Sequence, residues 1–548
     1  MRQHWRGEVR LFLLAAAFCA QASGATADGP PSYERDLKPL FAKRCTVCHN
    51  AKKVDDPDVS AGLALDSFDA VLRGSKEHKV VAPGKAAESE LYKRVCEDDE
   101  DLRMPLLDKP LPDAQRSLIK RWIDAGALRG EAVTAEAKAQ PRPVVRIVRS
   151  LDLVVPVDAK VPAGVAGMGK GGAVEVVVKV GPLPAVTALS FHGDGRLLAV
   201  GTYGEVVVWD LDGGRPVVAL TDVPGPVHAL AFSRDGRRLA VGSGLPAQSG
   251  SVRVYTVPDG TLDQDLEGHT DVVYALAFRP DGAQLASAGF DQTVRLWSLA
   301  LGRVEAVFRG HSDFVYEVAY TPDGRSVLSS SKDRSVKRFD SRTAKGQRTY
   351  SDHDDDVLAL AIRPDGKQFV SAGNEPILRW WSLEGEKPAR KVGGHGGPVH
   401  QVCFSGNGRR LISASGDKSV RVWDGLTGIF QRTLPGPTDW QYAVALNSDG
   451  HLAAGGGWDG LVRVWDADAG KLLATLIQPP RVSIGSTDWL AIAPSGYLEA
   501  SAELLPLVRW RIGGEEVPAE APRGVFVGHE QVARALRGEA VANPFAAK

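Results

Sequence analysis

Residues 271–308 read DVVYALAFRPDGAQLASAGFDQTVRLWSLALGRVEAVF, and their punctuation decides the fold of more than half the chain. Runs rich in Val, Leu, Ala and aromatic residues are broken by Pro280-Asp281-Gly282, by Asp291-Gln292 and by Leu301-Gly302. Such runs, bounded by Gly, Asp and Pro, read as short strands joined by tight turns. The same columns recur every 42 residues in His269, His311, His353 and His395. Asp281, Asp323, Asp365, Asn407 and Asp449 keep that interval, as do Asp291, Asp333, Glu375, Asp417 and Asp459. Trp297, Phe339, Trp381, Trp423 and Trp465 form a further column. A period of about 40–45 residues is that of a four-stranded propeller blade, so residues 174–512 are expected to form an all-β propeller.

The turns HGDG, SRDG, RPDG, TPDG, RPDG, SGNG, NSDG and APSG number eight between residues 192 and 496. They predict eight blades, with VEVVVKV at 174–180 supplying the outer strand that closes the ring. Seven blades with an irregular appendage is the alternative, because DWLAIAPSGYLEASAELLPLVRWRI at 488–512 leaves the strict spacing.

At 548 residues the chain exceeds one ordinary core, so it is read as multidomain. Its 66 Lys+Arg against 67 Asp+Glu give no electrostatic reason for a nucleic-acid or anionic-membrane partner. Residues 1–27 have the profile of a signal peptide: basic MRQHWRGEVR, apolar LFLLAAAFCA, then small residues. The expected location is therefore the periplasm or cell envelope, with no transmembrane span unless the signal is retained. Cys19 follows Phe18 where a lipoprotein signal wants a small residue, and reads as part of a discarded segment. Ala-, Pro- and Gly-rich stretches mark 131–173 as a linker between a first domain, 32–130, and the propeller, and 513–548 as a tail.

Cys45-Thr46-Val47-Cys48-His49 is the attachment pattern of a c-type haem. Two thiols at this spacing can add to the two vinyl groups of one porphyrin, and the next residue brings an imidazole to the iron. With 5 Cys and 12 His in the chain, the pattern arises by chance about once in a thousand such sequences. A zinc site would need a second ligand pair, which the domain lacks. A thioredoxin-like redox pair would need a strand-to-helix setting, whereas YERDLKPLFAKR before the motif is helical in pattern, with Leu37, Leu40 and Phe41 on one face. A plain disulfide leaves His49 unexplained. One covalent haem c is the reading, anchored by Cys45 and Cys48 with His49 as an axial ligand to the iron. For the other axial position Met104, in Arg-Met-Pro, is preferred to Met168, which sits in the Gly-rich linker. Leu118, Trp122 and Ala125 of SLIKRWIDAGA fall on one helical stripe. Cys96 is read as buried rather than free or paired between chains.

Phe41, the Cys-Thr-Val-Cys-His block, GLALDSFDAVLRG, VAPGKAAESELYKRV, Arg-Met-Pro and PLPDAQRSLIKRWIDAGA, in that order, resemble the planctomycete-type cytochrome c domain. That resemblance implies a small all-α cytochrome c-like domain with Cys45 and Cys48 as haem anchors, His49 proximal and Met104 distal. Leu106 stands where the family usually has a second Pro. The periodic region resembles the WD-repeat family, with Trp-Asp at 209–210, 423–424 and 465–466. There the in-phase His, Ser287, Ser329, Ser371, Ser413, Asp and Trp columns are expected to be structural, as are His353-Asp354-Asp355-Asp356, Arg295, Arg379, Arg421 and Arg463.

The sequence thus predicts an electron-transfer protein with a propeller that docks a protein partner, the redox partner being unnamed. The alternatives are an interaction scaffold whose haem senses redox state or ligand, and a propeller enzyme fed by the haem. No nucleophile elbow, phosphate loop or HExxH occurs.

Overall fold

The computed structural model describes residues 31–38, 40–41, 49, 63–75, 79–97, 99, 104, 111–129, 151–480 and 487–545. The signal segment 1–27, Cys45 and Cys48 lie outside these residues. The chain divides into two compact units, 1–143 and 144–548. Among the described residues no helix is long and apolar enough to cross a membrane.

The second unit is almost entirely antiparallel sheet. The stretch that opened the analysis forms four strands, Val273–Phe278, Gln284–Gly289, Val294–Ser298 and Arg303–Phe308, paired in sequence order. Six further sheets repeat this plan, and their innermost strands touch in a closed cycle. In order these strands are Ala188–Phe191, Val227–Phe232, Val273–Phe278, Val315–Tyr320, Ala359–Ile362, Val399–Phe404 and Gln441–Leu446, the last returning to the first. They define blades one to seven. Closure is tight: the Val186 N–H donates to the Gly457 carbonyl at 2.9 Å, and a Cβ on Gly456 would lie 2.5 Å from Val186 Cγ1.

Eight sheets are present, but the cycle of inner strands holds seven of them, and the eighth sheet does not contain the APSG turn that predicted an eighth blade. Gly172–Lys179, expected to complete the last blade, pairs instead with Asp152–Val161 and with Val508–Ile512, which in turn pairs with Glu515–Val517. The outer place in blade seven is held by Lys471–Ile477, whose free edge takes Leu490–Ile492 and then Leu498–Ala500. The eighth turn, APSG, is real, with Gly496 N–H on the Ala493 carbonyl at 2.9 Å, yet it joins these two outer strands. The ring was already full, so the last hairpin could only extend an edge.

The expected linker 131–173 thus holds a ten-residue strand, Asp152–Val161, because alternating Val155, Ala159 and Val161 bury one face. The expected tail carries helices Glu520–Phe526 and His529–Leu536, with Phe526, Val532 and Leu536 buried. Met168 is 1 % exposed in the same core as Trp510.

Within blades the predicted columns meet. In blade six the Trp423 indole N–H donates to Ser413 Oγ at 2.8 Å, and Ser413 Oγ lies 2.7 Å from His395 Nε2. His395 Nδ1 is 2.9 Å from Asp417. Donor arithmetic orients the chain: Nδ1–H donates to the carboxylate, so Nε2 accepts from the serine hydroxyl. Blades three and four repeat the Ser-His-Asp part. Blade five departs from it. Glu375 replaces the Asp, and the buried Arg379 donates to His353 Nδ1 at 3.1 Å, so His353 must carry its proton on Nε2 and donate to Ser371, 2.7 Å away. Blade seven has Gly455 in the serine column, and its Trp465 N–H turns to the Pro435 carbonyl at 2.8 Å.

Burial opposes ionisation of Asp291, Asp333 and Asp417, but hydrogen bonds to His269, His311 and His395 outweigh it and hold all three well below the usual carboxylate range. Their stabilisation is complete above the unfolded carboxylate value of about 4 and is lost as pH falls from there through the native values. Unfolding free energy measured in urea is expected to decline below about pH 4 and to be flat in this respect above it. Ser413→Ala orphans the buried Trp423 N–H and His395 Nε2 and is expected to cost about 2–3 kcal/mol; an unchanged urea midpoint would show the serine to be dispensable.

Candidate metal centre

The first unit is built on a shared carbonyl. The Leu128 oxygen accepts the Tyr33 backbone N–H at 2.8 Å and the Trp122 indole N–H at 2.9 Å. This fastens the amino-terminal helical segment, Tyr33–Leu37, to the carboxy-terminal helix Asp113–Asp124. The Tyr33 ring packs 6.2 Å from Phe41, 5.7 Å from Phe68 and 6.2 Å from Trp122. Leu37, Leu40 and Phe41 are buried as the helical pattern required. In the last helix the buried stripe is Ile119, Trp122 and Ile123; Trp122 is shared with the expected stripe, whereas Leu118 is partly buried and Ala125 lies half-buried in the turn that follows. The i, i+3, i+4 face follows the larger side chains.

This core reaches the candidate ligands through backbone hydrogen bonds. The Tyr33 hydroxyl donates to the Leu65 carbonyl at 2.9 Å, and the Leu65 N–H donates to the His49 carbonyl at 2.8 Å. His49 is thereby tied to the aromatic cluster through a single intermediate residue. Met104 is tied from another direction: its N–H donates to the Arg94 carbonyl at 2.9 Å, near the end of helix Glu90–Cys96. That helix is itself anchored, since Leu91 N–H meets the Val80 carbonyl at 2.9 Å and the Ala82 N–H meets Ser89 Oγ at 2.8 Å. The Met104 side chain is partly buried against the cluster that contains Tyr33, Phe41 and Trp122.

Cys96 packs against the same cluster, partly buried and outside any disulfide. Its bond to Tyr92 raises the tyrosine hydroxyl, with burial adding to the effect. Met168, the rejected alternative, lies in the core of the other unit. Cys45 and Cys48 lie outside the described residues, as does most of the acidic run 97–101.

The Met104 thioether packs on this apolar, aromatic core and the His49 backbone is bonded to Leu65 within it, residue types that fit a flat apolar macrocycle taking two axial donors. The relay from Tyr33 through Leu65 was not visible in the sequence. Leu65 acts through its backbone groups, which carry no residue-type signal.

Residues 45–106 match the sequence model of the family described as Planctomycete cytochrome C. Seven segments, 177–210, 215–256, 260–298, 302–340, 345–382, 386–424 and 428–466, match the WD domain, G-beta repeat. No curated protein matches the chain. The repeats are phased one strand ahead of the blades: 215–256, for example, begins with the outer strand Arg215–Leu220 of blade one.

Trp122→Ala removes the indole donor and the centre of the cluster. A loss of about 3–5 kcal/mol is expected for this unit alone. Limited proteolysis of the full chain should then degrade residues 31–129 while the propeller survives; equal resistance of both units would contradict the assignment of Trp122 as the keystone.

Proposed function

From a chain that carries a planctomycete-type cytochrome c domain followed by a WD-repeat β-propeller, we propose that this protein is an exported cytochrome that transfers single electrons through one covalent haem c. Its propeller serves as the platform that docks a protein partner. The observation that supports the reading is that Met104 packs against the aromatic core while the His49 carbonyl is bonded to Leu65 of that same core.

In this reading Cys45 and Cys48 form the thioether anchors, and His49 and Met104 are the axial pair. Bound there, haem c supplies a one-electron couple, and His/Met ligation raises its potential relative to other ligand sets. The protein's own part is positional. Leu65 and Arg94 hold the backbones of the two axial residues, so neither side chain has to be ordered anew at each transfer. Tyr33, Phe41, Phe68 and Trp122 pack on one another as the apolar core to which both backbones are tied. A WD-repeat ring offers rigid loop clusters for protein recognition and contributes no redox group of its own. The signal-peptide profile of residues 1–27 supports residence in the periplasm or cell envelope.

The test is the visible spectrum of the protein expressed in a periplasm with haem-attachment machinery, oxidised, reduced and denatured in pyridine. A c-type spectrum is expected, with a methionine–iron charge-transfer band that disappears in Met104→Ala together with a fall in reduction potential. A folded protein without covalent haem would overturn the proposal.

A further inference from the structure

The outer strands of the propeller carry a column of side chains that ties one blade to the next. Arg348, Arg390 and Arg432 keep the 42-residue interval in Gly346–Ser351, Pro388–Gly393 and Phe430–Leu434. Arg348 donates to the Glu384 carbonyl at 2.5 Å, Arg390 to the Leu426 carbonyl at 3.1 Å, and Arg432 to the Asp468 carbonyl. Each acceptor is the third residue after the Trp column of the following blade. From blade two, Gln264 reaches the same turn of blade three, at the Leu299 carbonyl, 2.6 Å away. A guanidinium donor makes these bonds stronger than neutral pairs. Blades one, three and seven have Val218, Ala306 and Ala474 in the column, which cannot donate. Blades three and four are joined instead by the Tyr320 hydroxyl on Gln284 at 2.8 Å.

At the seam between blades seven and one the tie comes from outside the ring. Arg537 donates to the Asp212 carbonyl at 3.1 Å, and Asp212 is the third residue after Trp209, the acceptor position used elsewhere. Arg537 ends the carboxy-terminal helix His529–Leu536, which lies across the seam. Val532 and Leu536 of the helix share one core with Leu198, Trp209 and Leu211 of blade one and with Ala474 and Leu476 of blade seven. On the blade-one side, a Cβ on Gly214 would stand 3.4 Å from the Ala533 nitrogen. On the blade-seven side, the Gly528 N–H donates to the Leu498 carbonyl at 3.0 Å, and His529 bonds Glu499.

This hold differs in kind from that of a strand. What joins the helix to blade one is side-chain packing and the Arg537 bond, so the helix can leave without breaking a ladder there. The other bonds of Arg537, to Glu530 at 3.0 Å and to Glu539 at 2.7 Å, stay within the carboxy-terminal segment. The seam is also incompletely filled. A cleft of about 460 Å³ remains at the helix end, walled by Leu211 and Asp212 of blade one, Asp466 and Leu473 of blade seven, and Leu536 and Arg537.

We propose that the carboxy-terminal helix is a detachable clasp: its release parts the outer rims of blades seven and one and widens this cleft. The inner contact of Val186 with Gly457 stays closed and serves as the hinge. Such partial openings draw on the least strongly held unit of a structure. The inference concerns the propeller alone and is independent of the haem.

Hydrogen exchange of the full-length protein, read by mass spectrometry, tests the clasp. The reporters are Arg215–Leu220 of blade one and Lys471–Ile477 of blade seven, with Gln284–Gly289 of blade three as the internal reference. Leu536→Ala is expected to speed exchange of the reporters about tenfold or more and to leave the reference unchanged. Arg537→Ala, which keeps the buried stripe intact, should speed it severalfold and carries the test if Leu536→Ala fails to fold. The Cβ positions of residues 214 and 533 lie 3.6 Å apart, within disulfide range. A chain with Gly214→Cys and Ala533→Cys can therefore be locked, and comparison of its oxidised and reduced forms cancels the strain of a side chain at residue 214. Slower exchange of the reporters in the oxidised form is expected. Exchange unchanged in the folded single variants, raised equally in reporters and reference, or identical in the locked and unlocked forms overturns the proposal.

Discussion

Ring closure between Val186 and the Gly456-Gly457 pair is the constraint on which the propeller depends. The contact joins the segment before the first inner strand to the second strand of blade seven, and only a residue without a side chain fits where Val186 presses in. Once it forms, every place on the axis is taken. The remaining strands must then add to edges or build a sheet of their own. The six-stranded seventh blade and the separate eighth sheet are both consequences of this one meeting.

The same logic explains which parts of the fold were legible in the sequence. Columns at 42-residue intervals predicted strands, turns and the Ser-centred hydrogen bonds residue by residue, because each blade solves the same packing problem. The count of blades within the ring was not legible. A turn motif such as APSG states that two strands are joined, and is silent on whether they face the axis or an outer edge. Gly172–Lys179 illustrates the point: its repeat phase fits an outer strand of the ring, but Lys471–Ile477 is nearer in sequence to blade seven and takes that edge. The Val, Ala and Gly composition of 151–173 read as linker, since alternation over so few residues is easily masked by the glycines beside it.

In the first unit the motif residues were legible and their supports were not. His49 and Met104 announce themselves by type and spacing, whereas Leu65, Arg94 and Leu128 act through backbone groups that any residue possesses.

The pairing of Gly172–Lys179 with Val508–Ile512 also has a temporal side. Val178 and Val508 are 330 residues apart, so at ordinary synthesis rates the valine-rich strand exists for roughly 15–70 s before its partner is made. During that interval it is an unpaired edge of the kind that recruits foreign strands. Asp152–Val161, its other neighbour in the finished sheet, is synthesised just before it. That strand can form a hairpin with it at once and leave a single open side. A segment that read as linker therefore doubles as an early guard, covering one edge of a strand whose permanent partner comes from near the end of the chain.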